Sequence, residues 1–284
     1  MADPGVGPRE GWVPKLVALD IDGTLLRWVE GAGMTHADVA PAVRDAVRRA
    51  QDAGAHVVLA SGRSPHGMTP VADMLDLHAG PDGEVEPVWV VASNGAVVFR
   101  YPTLEVVHEE TFDARAAVAA VLEEHPGALV GVEERGRGYR VNKPFPDGEL
   151  SGEMIPTPLE EMVAEPVSRV IIRDPEATAE DFVALAERLG LHGTDYVVGW
   201  TAWMDLAPVG VSKASGLQLV CDRLGVSAED ALAIGDGRND LEMLAWAGRG
   251  VAMGQAIEEV RAAADDVTAP VDEDGAALEL GRYF

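Results

Sequence analysis

The stretch Leu16 to Leu26, LVALDIDGTLL, constrains this chain more than any other: an apolar run that ends in two aspartates, a glycine and a threonine. The run reads as a buried strand. A carboxylate taken out of water at the end of such a strand is costly unless a cation or a donor compensates it. Asp20 and Asp22 therefore demand a cation. Two residues along an extended turn, Asp22 can sit beside Asp20 without sharing its position, and Gly23 lets the backbone come close to a substrate.

The same punctuation recurs downstream. HVVLA at 56–60 is a second apolar run, stopped by Ser61-Gly62-Arg63, and Ser64-Pro65 then reads as an N-cap with proline at the first helical position. VWVVA at 88–92 ends in Ser93-Asn94-Gly95, and ALAIGD at 231–236 ends in acid before Gly237-Arg238-Asn239-Asp240. Between the first two runs, Val39, Val43, Ala46, Val47 and Ala50 form one helical face closed by Gly54; Thr35 with Asp38 three residues on predicts where that helix starts. Leu25 to Met34 has no periodicity and reads as a loop overhanging the strand end, with Trp28 placed to cover a site. Strand, polar turn, helix is the repeating unit of a parallel α/β sheet, whose ligands bind outside the carboxyl ends of the strands.

AVVFR and EVVHEE, across a turn with Pro102, predict a hairpin. From about residue 113 the texture changes. A helix over 114–124 is followed by strands from Ala128 and Tyr139 with a turn at Gly136 and Gly138, a connection holding Pro156 and Pro158, a strand RVIIRD at 169–174, a helix over 179–189, and strands DYVVGW and AWMDLAP. Helix, strand, strand appears twice, which predicts an α+β insert built on one antiparallel sheet. The βα pattern resumes near residue 210, where Ser212 caps a helix from Lys213 to Arg223 with Gly225 after it. A strand GVAMG, a helix over 256–264 and DVTAP complete the chain.

Chemically, Asp20, Asp22 and Asp236 end strands from opposite halves of the sequence, with Asp240 one turn further on. This hard oxygen set suits Mg²⁺ better than zinc, and the seven histidines show no HExxH or Cys/His pattern. Lys213 at a helix N-terminus favours a phosphate, and the Ser61 hydroxyl adds a donor. A carboxylate nucleophile, a cation and a lysine together suit phosphoryl transfer.

DIDGT at Asp20 to Thr24, ASGR at Ala60 to Arg63, Lys213, and GDGRND at Gly235 to Asp240 resemble, in order and spacing, the four motifs of the haloacid dehalogenase superfamily. The long insert and Ser93-Asn94-Gly95 resemble the Cof-type phosphatases of subclass IIB. The resemblance implies a Rossmann-like parallel-sheet core (1–110 and 207–284, with 1–12 a loose leader) and an inserted α+β cap (111–206). It implies Asp20 as nucleophile and Asp22 as acid and then base, and a phosphate site of Ser61, Gly62, Lys213 and Asn239. It further implies Mg²⁺ on Asp20, the Asp22 carbonyl and Asp236, with Asn239 or Asp240 supporting directly or through water. Asn94 and Arg63, and the basic cap residues Arg137 and Arg140 with Tyr139, are candidates for substrate contact; Arg135 and Lys143 belong to the same basic patch. The expected activity is hydrolysis of a small phosphomonoester such as a sugar phosphate, with a mutase of the phosphomannomutase type or a catalytically silent phospho-ligand-binding protein as alternatives.

Composition narrows the partners. A formal charge of −26 argues against non-specific binding to nucleic acid or anionic membrane. No run approaches the ~18 apolar residues of a membrane span. The single cysteine, Cys221, rules out an internal disulfide framework and reads as a core residue, so the expectation is a soluble cytoplasmic protein; its oligomeric state stays open. Trp200 and Trp203 read as packing residues.

Overall fold

The computed structural model describes residues 11–29, 35–36, 38–80, 84–134, 137–178, 180–182, 184–185, 194–198 (backbone only) and 203–284. The expectations that fall on the leader up to residue 10, Gly31, Gly33, Met34, Arg135, Gly136, most of the helix over 179–189, and Trp200 lie outside them. Two compact units emerge: one runs to Gly62 and takes up Met68–Val107 and Ser212–Phe284, the other holds Arg63–Gly67 and His108–Val211.

In the first unit the strands are β1 (Leu16–Leu19), β2 (His56–Ala60), β3 (Val88–Ala92), β4 (Val97–Tyr101), β5 (Glu105–Glu109), β12 (Ala231–Gly235), β13 (Arg249–Ala252) and β14 (Asp266–Val267). They form one sheet in the order β14-β13-β12-β1-β2-β3-β4-β5, parallel from β14 to β3 and antiparallel from β3 to β4. All four residues of β1 are buried. Val17 and Leu19 pack in one apolar cluster with Val43, Ala46, Val47 and Ala50 of helix α1 (Pro41–Asp52). Leu16 and Ala18 pack in another, with Leu217, Val220 and Cys221 of helix α5 (Lys213–Leu224). Helices on both faces explain why the strand sequences are continuously apolar rather than alternating.

Helix α1 begins at Pro41, not at Thr35. Its N-cap, Ala40, makes no side-chain cap bond, and proline at the first position needs no partner for an N–H that it lacks. The Thr35 hydroxyl is used elsewhere, donating to Asp22 Oδ1 at 3.1 Å. Helix α2 (Pro65–Met74) starts as expected, with Ser64 Oγ accepting from Gly67 N. Ser212 caps α5 by accepting from Ser215 N, and Gly225 closes it at φ 68°.

The second unit carries β6 (Leu129–Glu134), β7 (Gly138–Val141), β8 (Glu153–Pro156), β9 (Val170–Arg173), β10 (Thr194–Val198) and β11 (Trp203–Pro208) in the order β10-β11-β9-β6-β7-β8. The sheet is not purely antiparallel, because β8 pairs parallel to β7. Pro156 and Pro158 read as a connection in sequence, yet β8 sits at the sheet edge, where a missing N–H is tolerated. One face of this sheet packs on helix α3 (Arg115–Glu124) through Val118, Val121, Val130, Val132, Ile172 and Met204. The other face gathers Leu129, Tyr139, Val141, Phe145 and Ile171, with Trp203 stacked edge-on against Phe145.

Candidate active site

Because β1 and β12 run parallel and in register, Leu19 opposite Ile234, their carboxyl ends bring Asp20 and Asp236 to the same edge of the sheet. Asp20 N donates to Ile234 O at 3.0 Å, which fixes the backbone where the chain leaves the strand. One carboxylate oxygen from each of Asp20, Asp236 and Asp240 falls within 4.8 Å of the others.

Lys213 is the counter-charge. Its ammonium is fully buried and donates to Asp20 Oδ1 and to Asp240 Oδ1, both at 2.6 Å. Burial alone would lower the lysine pKa, but the two carboxylates overcome it and hold the amine protonated. The second oxygen of Asp240 accepts from Asp236 N and Gly237 N, each at 2.9 Å, so Asp240 pins both the lysine and the loop that presents Asp236.

One lysine does not neutralise this set. The Asp20 carboxyl is pushed well above its usual range by burial and then by Asp240, with Lys213 pulling the other way and Asp236 and Asp22 adding repulsion. Asp236 is raised to about 6, again by burial and the charge of Asp240, against hydrogen bonds from Gln255 and Trp28. Buried like charges around a shared point, all oxygen donors, fit a hard divalent cation, which would offset both the burial and the repulsion behind these shifts.

Close packing of the strand ends sets the backbone. Gly23 has φ 86°, and a Cβ there would fall inside the Asp236 carboxylate and against Trp28 Nε1. Gly95 has φ 100°, and its Cβ would strike the Ser212 carbonyl where α5 begins. These glycines let the turns after β1 and β3 touch the segments that carry Asp236 and Lys213.

Ser61 is buried, with its N–H donating to Val91 O at 3.0 Å and its carbonyl accepting from Asn94 N at 3.1 Å. Asn94, at φ 53°, accepts through Oδ1 from Asn239 Nδ2 at 2.9 Å and lies beside Gly62. Gly62, Asn94 and Asn239 thus form one polar group from three strand ends. Arg63 donates to Gly67 O at 3.4 Å. In the second unit, Tyr139 is buried and accepts from Arg169 Nη1 at 3.1 Å; Arg137 pairs with Glu153 at 3.1 Å; Arg140 pairs with Glu134 at 2.8 Å and also donates to Glu161 O. Lys143 donates to Gly127 O. Sequence reasoning missed Gln255, whose carboxamide bonds both Gly23 O and Asp236 Oδ2; a glutamine in a turn carries no periodicity or motif that would single it out.

Acids at the ends of adjacent parallel strands with a buried lysine between them place an oxygen-donor cluster at the carboxyl edge of an open α/β sheet, where ligands of such sheets bind. The chain belongs to the haloacid dehalogenase-like hydrolases, whose family model matches residues 17–280. It is similar to a phosphoglycolate phosphatase of Natronomonas pharaonis (33% identical, covering 94% of this chain and 96% of that one) and to the putative phosphatase YkrA of Bacillus subtilis (31%, 94% and 98%). Among solved structures, a sugar phosphatase of HAD subclass IIB superposes with a TM-score of 0.76 at 26% identity, covering 95% of this chain and 98% of that one. Among the described residues, no helix is long and apolar enough to cross a membrane.

Proposed function

We propose that this hydrolase removes phosphate from a small phosphomonoester, a sugar phosphate or related metabolite, through a phosphoryl group carried on Asp20. The observation that carries the reading is the grip on Asp20: Lys213 holds Oδ1 at 2.6 Å, which leaves Oδ2 as the attacking atom. Asp20 Oδ2 attacks phosphorus as the bond to the leaving oxygen breaks. Asp22, steadied by the Thr35 hydroxyl at 3.1 Å, gives that oxygen its proton. Asp22 then takes a proton from water as the water attacks phosphorus, releasing phosphate and restoring the Asp20 carboxylate.

Asp20, Asp236 and the Asp22 carbonyl would hold Mg²⁺, and Asp240 supports them as the anchor of Lys213 and of the 236–237 backbone. The metal, when bound, supplies charge neutralisation at the phosphoryl oxygens and lowers the proton affinity of Asp20. Ser61, Gly62 and Asn239 complete the phosphate cradle. Residues 111–206 act as a cap domain that selects the leaving group, with Arg137 and Arg140 as its candidate contacts, whereas Tyr139 is buried in the core of that unit. The sugar phosphatase relative supports that substrate class.

The test is release of inorganic phosphate from p-nitrophenyl phosphate and a panel of phosphorylated metabolites, with and without Mg²⁺. Asp20→Asn is expected to abolish release while leaving the circular dichroism spectrum intact. Retention of wild-type turnover by that variant would refute the covalent route, and phosphate that migrates within a sugar instead of appearing in solution would make the enzyme a mutase.

A further inference from the structure

Gln255 lies in the turn after β13, outside every motif described above. Its Oε1 accepts from Val271 N at 2.9 Å. Because a backbone N–H can only donate, that contact fixes which end of the carboxamide is oxygen, and the Nε2 group must face the other way. There it donates to Gly23 O at 2.6 Å and to Asp236 Oδ2 at 3.2 Å. One planar group therefore joins three segments far apart in sequence: the turn carrying the proposed acid-base residue, the loop carrying a proposed cation ligand, and the C-terminal segment at Val271. The Trp28 side chain bonds to the same Asp236 carboxylate.

We propose that Gln255 is a positioning residue for the cation site, fixing the Asp236 carboxylate through its Oδ2 and holding the Asp22–Gly23 turn in the same frame. This inference rests on the reading of Asp236 as a cation ligand. Groups that orient a ligating carboxylate are worth about 10- to 100-fold in metal affinity when removed. Methionine at position 255 keeps the length and apolar body of the side chain while removing both the donor and the acceptor.

The experiment is titration of the full-length protein with Mg²⁺ alone by calorimetry, on wild type, Gln255→Met, Gln255→Ala and Asp236→Asn, with thermal melting in EDTA alongside. Either Gln255 variant that folds carries the test, and weakening of Mg²⁺ binding by about tenfold or more is expected. A loss below about threefold in the folded variants, whether or not their melting temperature falls, makes Gln255 a structural strut and overturns the inference. If Asp236→Asn, or wild type, shows that Mg²⁺ uptake does not depend on Asp236, the underlying reading fails and the inference with it. Loss of binding in Asp236→Asn with retention in both Gln255 variants defeats the inference alone.

Discussion

Asp236→Asn should make the metal-free protein more stable while removing one carboxylate of the proposed Mg²⁺ site. The carboxyl of Asp236 is raised from 3.8 to about 6 by burial and by the neighbouring Asp240 charge. At about 1.4 kcal/mol per tenfold change in proton affinity, that rise corresponds to about 3 kcal/mol of penalty for the charged form in the folded protein. A raised carboxyl binds its proton more tightly folded than unfolded. Its contribution to stability is therefore complete below about pH 4 and is lost as the pH climbs through about 6. Asparagine preserves the shape, keeps an oxygen for Gln255 Nε2, and carries no charge at any pH. In EDTA at pH 7.5 the variant should gain up to about 3 kcal/mol, seen as a melting temperature roughly 5 °C higher or more, and the gain should shrink to nothing near pH 4. Saturating Mg²⁺ should reverse the ranking by stabilising only the wild type. Chemical denaturation and thermal melting across pH 4–8, with and without Mg²⁺, measure all three arms. A variant in EDTA at pH 7.5 that is no more stable than wild type would refute the claim that burial, with the Asp240 charge beside it, penalises the charged Asp236.

Further consequences follow from the same geometry. Lys213→Met leaves Asp20 and Asp240 buried without their shared ammonium, which should cost about 3–5 kcal/mol at pH 7.5 and be partly recovered near pH 4.5, read by melting temperature. Gly95→Ala places a Cβ against the Ser212 carbonyl at a left-handed φ, and should cost about 2–4 kcal/mol in stability by denaturation while also lowering turnover through displacement of Lys213. Gly225, equally left-handed but with open space around its Cβ position, should tolerate alanine at about 1 kcal/mol.

Most of the acid cluster was legible because parallel strands obey one rule: apolar run, then the polar residues that meet at the carboxyl edge. Asp20, Ser61 and Asp236 each follow such a run directly, and Asn94 follows one residue later. Lys213 was legible as a cation at a helix start, but its ammonium serves two carboxylates directly, a fact set by the depth of α5 and invisible to local pattern. Strand β8 was hidden by its prolines, whose meaning depends on whether a strand is central or at an edge. Thr35 carried the letters of a cap but spends its hydroxyl on Asp22, and its backbone is paired with Trp28 in an antiparallel bridge. Gln255 was silent because its role is made wholly by three segments that only the tertiary fold brings together.

The position of β1 in the sheet has a consequence for the birth of the enzyme. Its neighbours are β2, some forty residues on, and β12, reached only after residue 231, with β13 and β14 beyond that. As the chain is synthesised, the edge of β1 that will receive β12 stays open until about four-fifths of the sequence exists, and so do the positions of Lys213 and Asp236. A chain interrupted in its insert carries Asp20 but neither the lysine that bonds to it nor Asp236 and Asp240, which gather beside it. The acidic cluster and its lysine are thus completed only at the last stage of assembly.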